Sequence, residues 1–154
     1  MKSKNDIRLL EGNTELLNEV KPLWEKLNSY HSEKSIHFKD KYLSFNFEQR
    51  ALGLCEKAKD GKLMVYLAFD YDKLIGYCIS TIDNKNLGEI ESLYVEDEYR
   101  GCNIGDYFMK KSLQWMENYE VKEKRIGVAG GNEDVFSFYK KYGFYPKTTI
   151  LAQK

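Results

Sequence analysis

One segment of the sequence combines an arginine and two glycines just before a predicted helix. Arg100, Gly101 and Gly105 lie where an apolar run ending at Val95 passes through a polar loop into helical periodicity. Free backbone N–H groups at a helix N-terminus bind phosphates, because the helix dipole favours negative charge there. Glycine lets a ligand approach the backbone closely, and arginine adds a cationic donor. These residues predict an anion-binding turn, although on their own they fit an ordinary glycine-containing turn equally well.

Spacing excludes two common nucleotide-binding loops at this turn. A Walker loop requires Gly-x-x-x-x-Gly-Lys-Ser/Thr, whereas Gly105 is followed by Asp106 and Tyr107. A Rossmann fingerprint requires Gly-x-Gly-x-x-Gly near the start of a parallel sheet, whereas this turn follows three predicted antiparallel strands. A phosphate ligand here would therefore be bound in a different way from either class.

The composition predicts one domain spanning residues 1–154. Hydrophobic residues make up 42% of the chain and charged residues 31%, which is typical of a protein that folds around a core. Lysine plus arginine number 24, as do aspartate plus glutamate, so no net charge attracts nucleic acid or an anionic membrane. We therefore expect neither of these as a partner.

Cysteine and histidine usage argues against a disulfide framework or a metal site. The three cysteines lie far apart and are odd in number, and no Cys/His spacing suggests zinc. Residues 1–6 are polar, and no apolar run would serve as a signal peptide or span a bilayer. We therefore expect a cytoplasmic protein without a metal.

Apolar periodicity predicts a mixed α/β domain with the order β-α-α-β-β-β-α-β-α-β. Strands with short polar turns between them predict an antiparallel meander in the middle of the chain. Pro22 lies inside the first helical pattern, so it should kink that helix or start a new one. The predicted strands are residues 7–10, 63–69, 74–81, 87–95, 125–129 and 144–151. The predicted helices follow Asn13, cover residues 45–58, cover 104–119 and follow Asn132.

The anion-binding turn resembles the pyrophosphate-binding motif of the GNAT N-acetyltransferase superfamily, Gln/Arg-x-x-Gly-x-Gly/Ala. The matching residues are Arg100, Asn103 and Gly105. The middle position departs from the family pattern, because Asn103 stands where glycine is usual. Asparagine tolerates left-handed backbone conformations better than most residues, so the loop should keep its shape.

Three further segments resemble the same family, in the same order along the chain. Residues 90–95 resemble its fourth strand, and residues 125–130 with Asn132 resemble its fifth strand and the asparagine that follows. Residues 138–144 resemble the aromatic-Tyr-x-x-x-Gly-Phe ending of the next helix. The resemblance implies a single-domain GNAT-type fold, in which helices flank a mixed, mostly antiparallel sheet with a splay between strands 4 and 5.

The resemblance implies that acetyl-CoA binds in that splay as a cosubstrate. Backbone groups of Leu93, Tyr94 and Val95 would pair with the pantetheine amides, and one of those N–H groups would polarise the thioester carbonyl. Asn132 would contact the cofactor, cap its own helix, or do both. The pyrophosphate would be held by Arg100 and by the backbone amides of Gly101, Cys102, Asn103, Ile104, Gly105 and Asp106.

The resemblance also implies direct transfer of the acetyl group to an amine. Tyr139 matches the position that donates a proton to the leaving thiolate in many relatives, although it would also fit as a core tyrosine. Glu89 and Glu91 alternate with Ile90 and so project from one face of the sheet. Glu91 is nearer the expected acetyl site and would deprotonate the amine, directly or through water, unless it is a solvated strand residue.

The acceptor site is expected between the first two predicted helices, where this fold builds it. Tyr30, His31 and Phe38 would line the site, and Glu89 would attract a cationic amine. We expect a small acceptor such as an amino acid, a polyamine or an amino sugar. The alternatives are a peptide amine, or a catalytically weak acyl-CoA-binding module that acts through a protein partner. Family analogy also suggests a homodimer.

Overall fold

The strands of the central sheet follow one another in chain order in the computed structural model, which describes residues 7–154. The strands are β1 (Ile7–Gly12), β2 (Lys62–Asp70), β3 (Lys73–Ile82), β4 (Leu87–Val95) and β5 (Glu123–Ile126). The helices are α1 (Lys21–Lys34), α2 (Lys39–Ser44), α3 (Phe47–Asp60), α4 (Ile104–Asn118) and α5 (Phe136–Lys140), with 3₁₀ turns at Thr14–Val20, Asp97–Tyr99 and Glu133–Val135. Residues 1–6, from which we expected no signal peptide, lie outside the described part.

The predicted meander is confirmed, because β2, β3 and β4 pair in antiparallel order through short polar turns. β1 extends the same sheet along β2, also antiparallel. Only the last pair, β4 with β5, is parallel, since α4 crosses over between them. The mixed, mostly antiparallel sheet predicted from the sequence is therefore present.

β4 and β5 separate soon after they pair. Their register runs from Leu87 opposite Glu123 to Ile90 opposite Ile126. β4 then continues to Val95 beside β3, whereas β5 has ended. The predicted splay is confirmed, and it leaves one edge of the second half of β4 without a partner strand.

An extra residue in β4 lies directly at the start of this splay. Ile79 of β3 pairs with Ser92, and Ser80 pairs with Ile90, so Glu91 has no partner in β3. A β-bulge of this kind bends its strand and increases the local twist. The bulge therefore redirects β4 as it enters the splay.

Hydrophobic clusters cover both faces of the sheet. α4 packs on one face through residues such as Phe108 and Met109, which are fully buried. The 3₁₀ turn after β1, α1 and α3 cover the other face through residues such as Leu17, Trp24 and Leu54. Among residues 7–154, no helix is both long and apolar enough to cross a membrane.

The N-terminal helices differ in detail from the prediction. Asn13 does not cap a helix with its side chain. Its side-chain Nδ2 donates to the Leu63 carbonyl at 3.4 Å, and a 3₁₀ turn follows. Pro22 lies in the first turn of α1, so the predicted restart at this proline is confirmed. α3 begins later than predicted, because Asn46 and Gln49 form a reciprocal capping box. The short helix α2 was not predicted.

The C-terminal prediction was wrong in one element. Residues 144–151 form no strand within the described part of the chain. Pro146 lacks the N–H group that a strand ladder requires. Ile150 and Leu151 are 88% and 90% exposed, so no apolar burial stabilises pairing there. The fifth strand also ends earlier than predicted, at Ile126 rather than at residue 129.

Candidate active site

A cleft of about 1050 Å³ opens where β4 and β5 separate. Its walls are the end of β4, the loop to α4, the first turn of α4, the segment after β5 and one face of α1. Gly131 brings α1 against the segment after β5, because an ideal Cβ on it would lie 2.2 Å from the Lys34 carbonyl oxygen. Its φ of +97° also requires glycine.

The strand register decides which backbone groups of β4 face the cleft. Glu96 N–H donates to the Ile75 carbonyl at 2.8 Å, so these residues form a hydrogen-bonded pair. Such pairs alternate with non-hydrogen-bonded pairs along an antiparallel ladder. Tyr94 is therefore bonded to β3, whereas the backbone groups of Leu93 and Val95 point toward the splay. Tyr94 lines the cleft, but the register directs its backbone toward β3 and gives no support to a backbone contact with a ligand.

The anion-binding turn adopts the backbone shape that its glycine-type motif requires. Asn103 has φ +64° and ψ 21°, the left-handed conformation, and it is the N-cap residue of α4. The amides of Ile104, Gly105 and Asp106 follow in the first turn, where no intrahelical acceptor exists for them. All four residues line the cleft. The turn thus presents helix N-terminal amides to the cavity.

Arg100 helps to hold the loop before α4 in place. Its Nε donates to the Val95 carbonyl at 3.1 Å, and its Nη1 lies 2.9 Å from the Asp97 carboxylate. Arg100 lines the cleft, as does Gly101, whose φ is +88°. The guanidinium is therefore tied to the strand end and remains exposed beside the cavity.

Cys102 is the one residue of the predicted loop that does not line the cleft. It is only 6% exposed, and its N–H donates to the Tyr99 carbonyl at 3.3 Å. The structure therefore gives no support to a ligand contact by its amide. Burial of Cys102 instead anchors the loop to the core on the α4 side of the sheet.

Two tyrosines of the C-terminal helical region line the cleft, and they differ in their partners. Tyr142 donates a hydrogen bond to Asp106 Oδ1 at 2.5 Å, and Asp106 also pairs with Lys110. Within residues 7–154 the Tyr139 hydroxyl has no hydrogen-bonding partner. Burial raises the pKa of Tyr139 far above its ordinary value, so its hydroxyl stays protonated. Of the two, only Tyr139 offers a hydroxyl to a ligand.

Glu91 lines the cleft, but its carboxylate already forms ion pairs with two cationic side chains. Arg50 Nη2 lies 3.0 Å from its Oε1, and Lys57 Nζ lies 2.5 Å from its Oε2. Thr81 donates to the same Oε2 at 2.6 Å. Burial would raise the pKa of Glu91, but the hydrogen bonds from Lys57 and Thr81 and the charge of Arg50 outweigh it and lower the pKa. A carboxylate so stabilised is a poor proton acceptor.

We expect Glu91→Gln to destabilise the protein at neutral pH by about 3 kcal/mol, because two half-buried cations lose their carboxylate. The folded-state pKa of Glu91 is lowered, so its stabilisation is present above its unfolded pKa and disappears as the pH falls through the folded value. The difference in unfolding free energy between wild type and variant should therefore shrink in acid. Urea denaturation at neutral and acidic pH measures it, and an equal difference at both would contradict this assignment.

Glu89 and Phe38 do not line the cleft. Glu89 does project from the same face as Glu91, but it pairs with Lys57 at 3.2 Å and with Arg125 at 3.1 Å. Phe38 lies at the start of α2, outside the cavity. The structure therefore gives no support to either residue as an acceptor contact.

Tyr30 and His31 do line the cleft, at the C-terminal part of α1. The His31 ring lies 5.8 Å from the Tyr42 ring and 6.3 Å from the Tyr30 ring. Burial lowers the pKa of His31, so its imidazole is neutral near neutral pH. Asn132 also lines the cleft, and its side chain makes no capping hydrogen bond.

Sequence reasoning missed an acidic stripe on α1. Glu25, Ser29 and Glu33 are spaced by four residues, so they share one helix face, and all three line the cleft. Glu25 and Glu33 form no ion pair within the described residues. Lys26, next to them, pairs with Glu96 at the end of β4 and so fixes α1 beside the strand. The sequence signal for this stripe was the four-residue spacing of polar residues on the face of α1 opposite its buried side chains.

The sequence matches a known protein family over most of its length. The family described as "Acetyltransferase (GNAT) family" matches residues 20–144. An uncharacterized N-acetyltransferase of Methanocaldococcus jannaschii is 26% identical over 72 residues, which cover 47% of this chain and about a third (32%) of that protein.

Solved structures of the same fold include two that contain coenzyme A. A PaiA N-acetyltransferase from Thermoplasma acidophilum in complex with coenzyme A has a TM-score of 0.71 and 22% identity, with 94% of this chain and 92% of that chain covered. The aminoglycoside N-acetyltransferase AAC(6')-Iy in complex with CoA has a TM-score of 0.65 and 13% identity, with 96% and 93% covered. At these identities the likeness establishes the fold.

Proposed function

This chain belongs to the acetyltransferase (GNAT) family, and from that premise we propose that it transfers an acetyl group from acetyl-CoA to a primary amine of a small cationic acceptor. One observation carries the proposal: a single cleft joins the splayed edge of β4, the N-terminal amides of α4 and the Tyr139 hydroxyl, which has no hydrogen-bonding partner within residues 7–154. Each part matches one requirement of acyl transfer from a CoA thioester.

In the proposed complex the pantetheine arm lies in the splay like an added strand. It pairs with the backbone of Leu93 and with the N–H of Val95, which face the gap left by β5, while the Val95 carbonyl accepts from Arg100. The pyrophosphate lies against the amides of residues 103–106 at the N-terminus of α4, with Arg100 beside it. Asn132 contacts the cofactor from the opposite wall.

The reaction is a direct displacement at the thioester carbon. The amine nitrogen forms a bond to the carbonyl carbon, the carbon–sulfur bond breaks, and the thiolate of CoA leaves. A backbone N–H of β4 stabilises the oxyanion, and Tyr139 donates a hydrogen bond and then its proton to the sulfur. The nitrogen loses a proton as the amide forms, and that proton restores the Tyr139 hydroxyl. The raised pKa of Tyr139 fits a group that enters the reaction protonated.

The acceptor must lose a proton before it attacks, and Glu91 is not the group that we assign to this step. Three donors already hold its carboxylate, and its pKa is lowered. His31 lines the cleft with a neutral imidazole, so it is the proton acceptor consistent with these surroundings. Glu91 is assigned to holding β4 instead.

The cationic character of the acceptor is inferred from α1. Glu25 and Glu33 place two carboxylates on the cleft wall, with Ser29 between them, and neither has an ion-pair partner among the residues that the structure describes. An acceptor with a second ammonium group would bind them while its reacting amine reaches the acetyl group. The aminoglycoside N-acetyltransferase with this fold takes its name from acceptors of that kind.

We expect Glu33→Gln to raise the KM for a diamine about fivefold, which is the effect of removing one exposed charge pair of about 1 kcal/mol. The KM for a matched monoamine should change little, and so should kcat for both. Initial rates of thiol release with mono-, di- and polyamines and with amino sugars measure these values. Glu56→Gln, an exposed helix position outside the cleft, is the matched control.

The same amine panel separates the alternatives. Tight binding of acetyl-CoA without thiol release for any small amine would favour a catalytically weak binding module. Thiol release only with peptide amines would favour a peptide N-acetyltransferase. Failure to bind acetyl-CoA would contradict every version of the proposal.

A further inference from the structure

An ionic network surrounds the point where β4 and β5 separate. It joins Arg50 and Lys57 of α3 to Glu89 and Glu91 of β4 and to Arg125 of β5. Glu89 is opposite Arg125 in the register, one position before the last pair of the two strands. The network therefore lies at the base of the splay, and of its members only Glu91 lines the cleft.

Arg50 contacts Glu91 in two different ways through one nitrogen. Its Nη2 donates to the Glu91 backbone carbonyl at 3.1 Å and lies 3.0 Å from the Glu91 carboxylate. Glu91 is the extra residue of the β-bulge, where the regular ladder is interrupted. A partly buried carbonyl at such a position is stabilised by a donor from elsewhere, and Arg50 supplies it.

Lys57 contacts the same carboxylate without touching the backbone. Its Nζ lies 2.5 Å from Glu91 Oε2 and 3.2 Å from Glu89 Oε1. The exposed fractions of the Lys57 and Arg50 side chains are nearly equal, 25% and 28%. Lys57 thus has a second carboxylate partner, Glu89, whereas Arg50 alone donates a hydrogen bond to the bulge carbonyl.

We propose that Arg50 is a positioning residue, which fixes the bulge at Glu91 and thereby the direction in which Leu93 and Val95 present their backbone groups to the cleft. Arg50 does not line the cleft, so it acts through Glu91. Leu93 is only two residues beyond the bulge, and any rotation of Glu91 is transmitted to it along the strand. The consequence for catalysis rests on the proposed function.

Arg50→Met and Lys57→Met form a matched pair for testing this role. Each removes one cation from the same carboxylate, so both should lower the melting temperature by similar amounts. In the free protein, Arg50→Met should shift the amide resonances of Leu93 and Val95, while Lys57→Met should leave them near their wild-type positions. Arg50→Lys should recover much of the lost melting temperature but not those resonances, because one ammonium cannot reproduce both contacts of the guanidinium.

Initial rates of thiol release are then measured with acetyl-CoA and the amine of the panel that wild type acetylates fastest, at a temperature well below the melting temperature of every variant. Arg50→Met should lower kcat by up to about 10²-fold, because small displacements of a binding group have effects of this size. Lys57→Met should stay close to wild type. Equal resonance shifts and equal rates in the two variants would overturn the assignment of Arg50. Shifts specific to Arg50→Met in a protein without activity toward acetyl-CoA would leave the positioning role standing and reject only the proposed function.

Discussion

Tyr139→Phe is expected to lower kcat by about 10²- to 10³-fold, within the range usual for loss of a general acid, while the Kd for acetyl-CoA stays nearly unchanged. The substitution removes only the hydroxyl. The ring keeps its contacts with the core cluster under α4 and with Phe138, so the fold should hold. Within the described residues that hydroxyl has no other partner, so its loss should affect only the leaving thiolate.

Tyr142→Phe is the matched control for this result. Tyr142 also lines the cleft, but its hydroxyl is bound to Asp106 and ties the C-terminal helical region to α4. Loss of this hydroxyl should lower the melting temperature, whereas kcat should fall far less than it does in Tyr139→Phe. Single-turnover rates and calorimetric titration with acetyl-CoA distinguish the two variants. A parallel loss of kcat and acetyl-CoA affinity in Tyr139→Phe would mean that Tyr139 is a structural residue.

Asn103→Val is expected to weaken acetyl-CoA binding about tenfold, since a left-handed backbone costs an L-residue roughly 1–2 kcal/mol and a β-branched residue tolerates it least. Asn103 has φ +64° directly before the amides of the first turn of α4. Valine would pull this residue out of that conformation and turn the amides away from the cleft. The loss should appear in Kd, with a smaller effect on kcat at saturation.

Asn103→Gly provides the opposite control, because glycine adopts the same backbone angles without strain. It should bind acetyl-CoA at least as tightly as the wild type does. Calorimetric titration of the three proteins gives the comparison. Weakening by glycine as large as that by valine would show that the asparagine side chain itself holds the ligand, rather than the backbone shape.

Local patterns predicted the central part of the molecule well. β4 was predicted with its observed limits, because its apolar run is bounded by turn residues on one side and a polar loop on the other. The left-handed conformation of Asn103 followed from the tolerance of asparagine at a glycine position. These features are determined by residues close together in the sequence, so they can be predicted from one sequence alone.

Long-range contacts explain what the sequence did not reveal. Arg50 and Lys57 lie 41 and 34 residues from Glu91, so no local pattern shows that its carboxylate is already paired. Phe38 was expected in the acceptor site because α2 was not recognised as a helix. The strand at residues 144–151 was predicted from their apolar side chains. It does not form, because Pro146 lacks a backbone N–H and the apolar side chains at 150 and 151 are not buried.

Amide-resolved hydrogen exchange with and without acetyl-CoA tests most directly whether the cofactor binds between β4 and β5. Acetyl-CoA should slow exchange at Leu93 and Val95, which face the splay, and at residues 103–106 at the N-terminus of α4. Tyr94, already bonded to β3, should change little. Protection that is absent, or that falls elsewhere on the protein while these amides exchange as before, would contradict the placement of acetyl-CoA between β4 and β5.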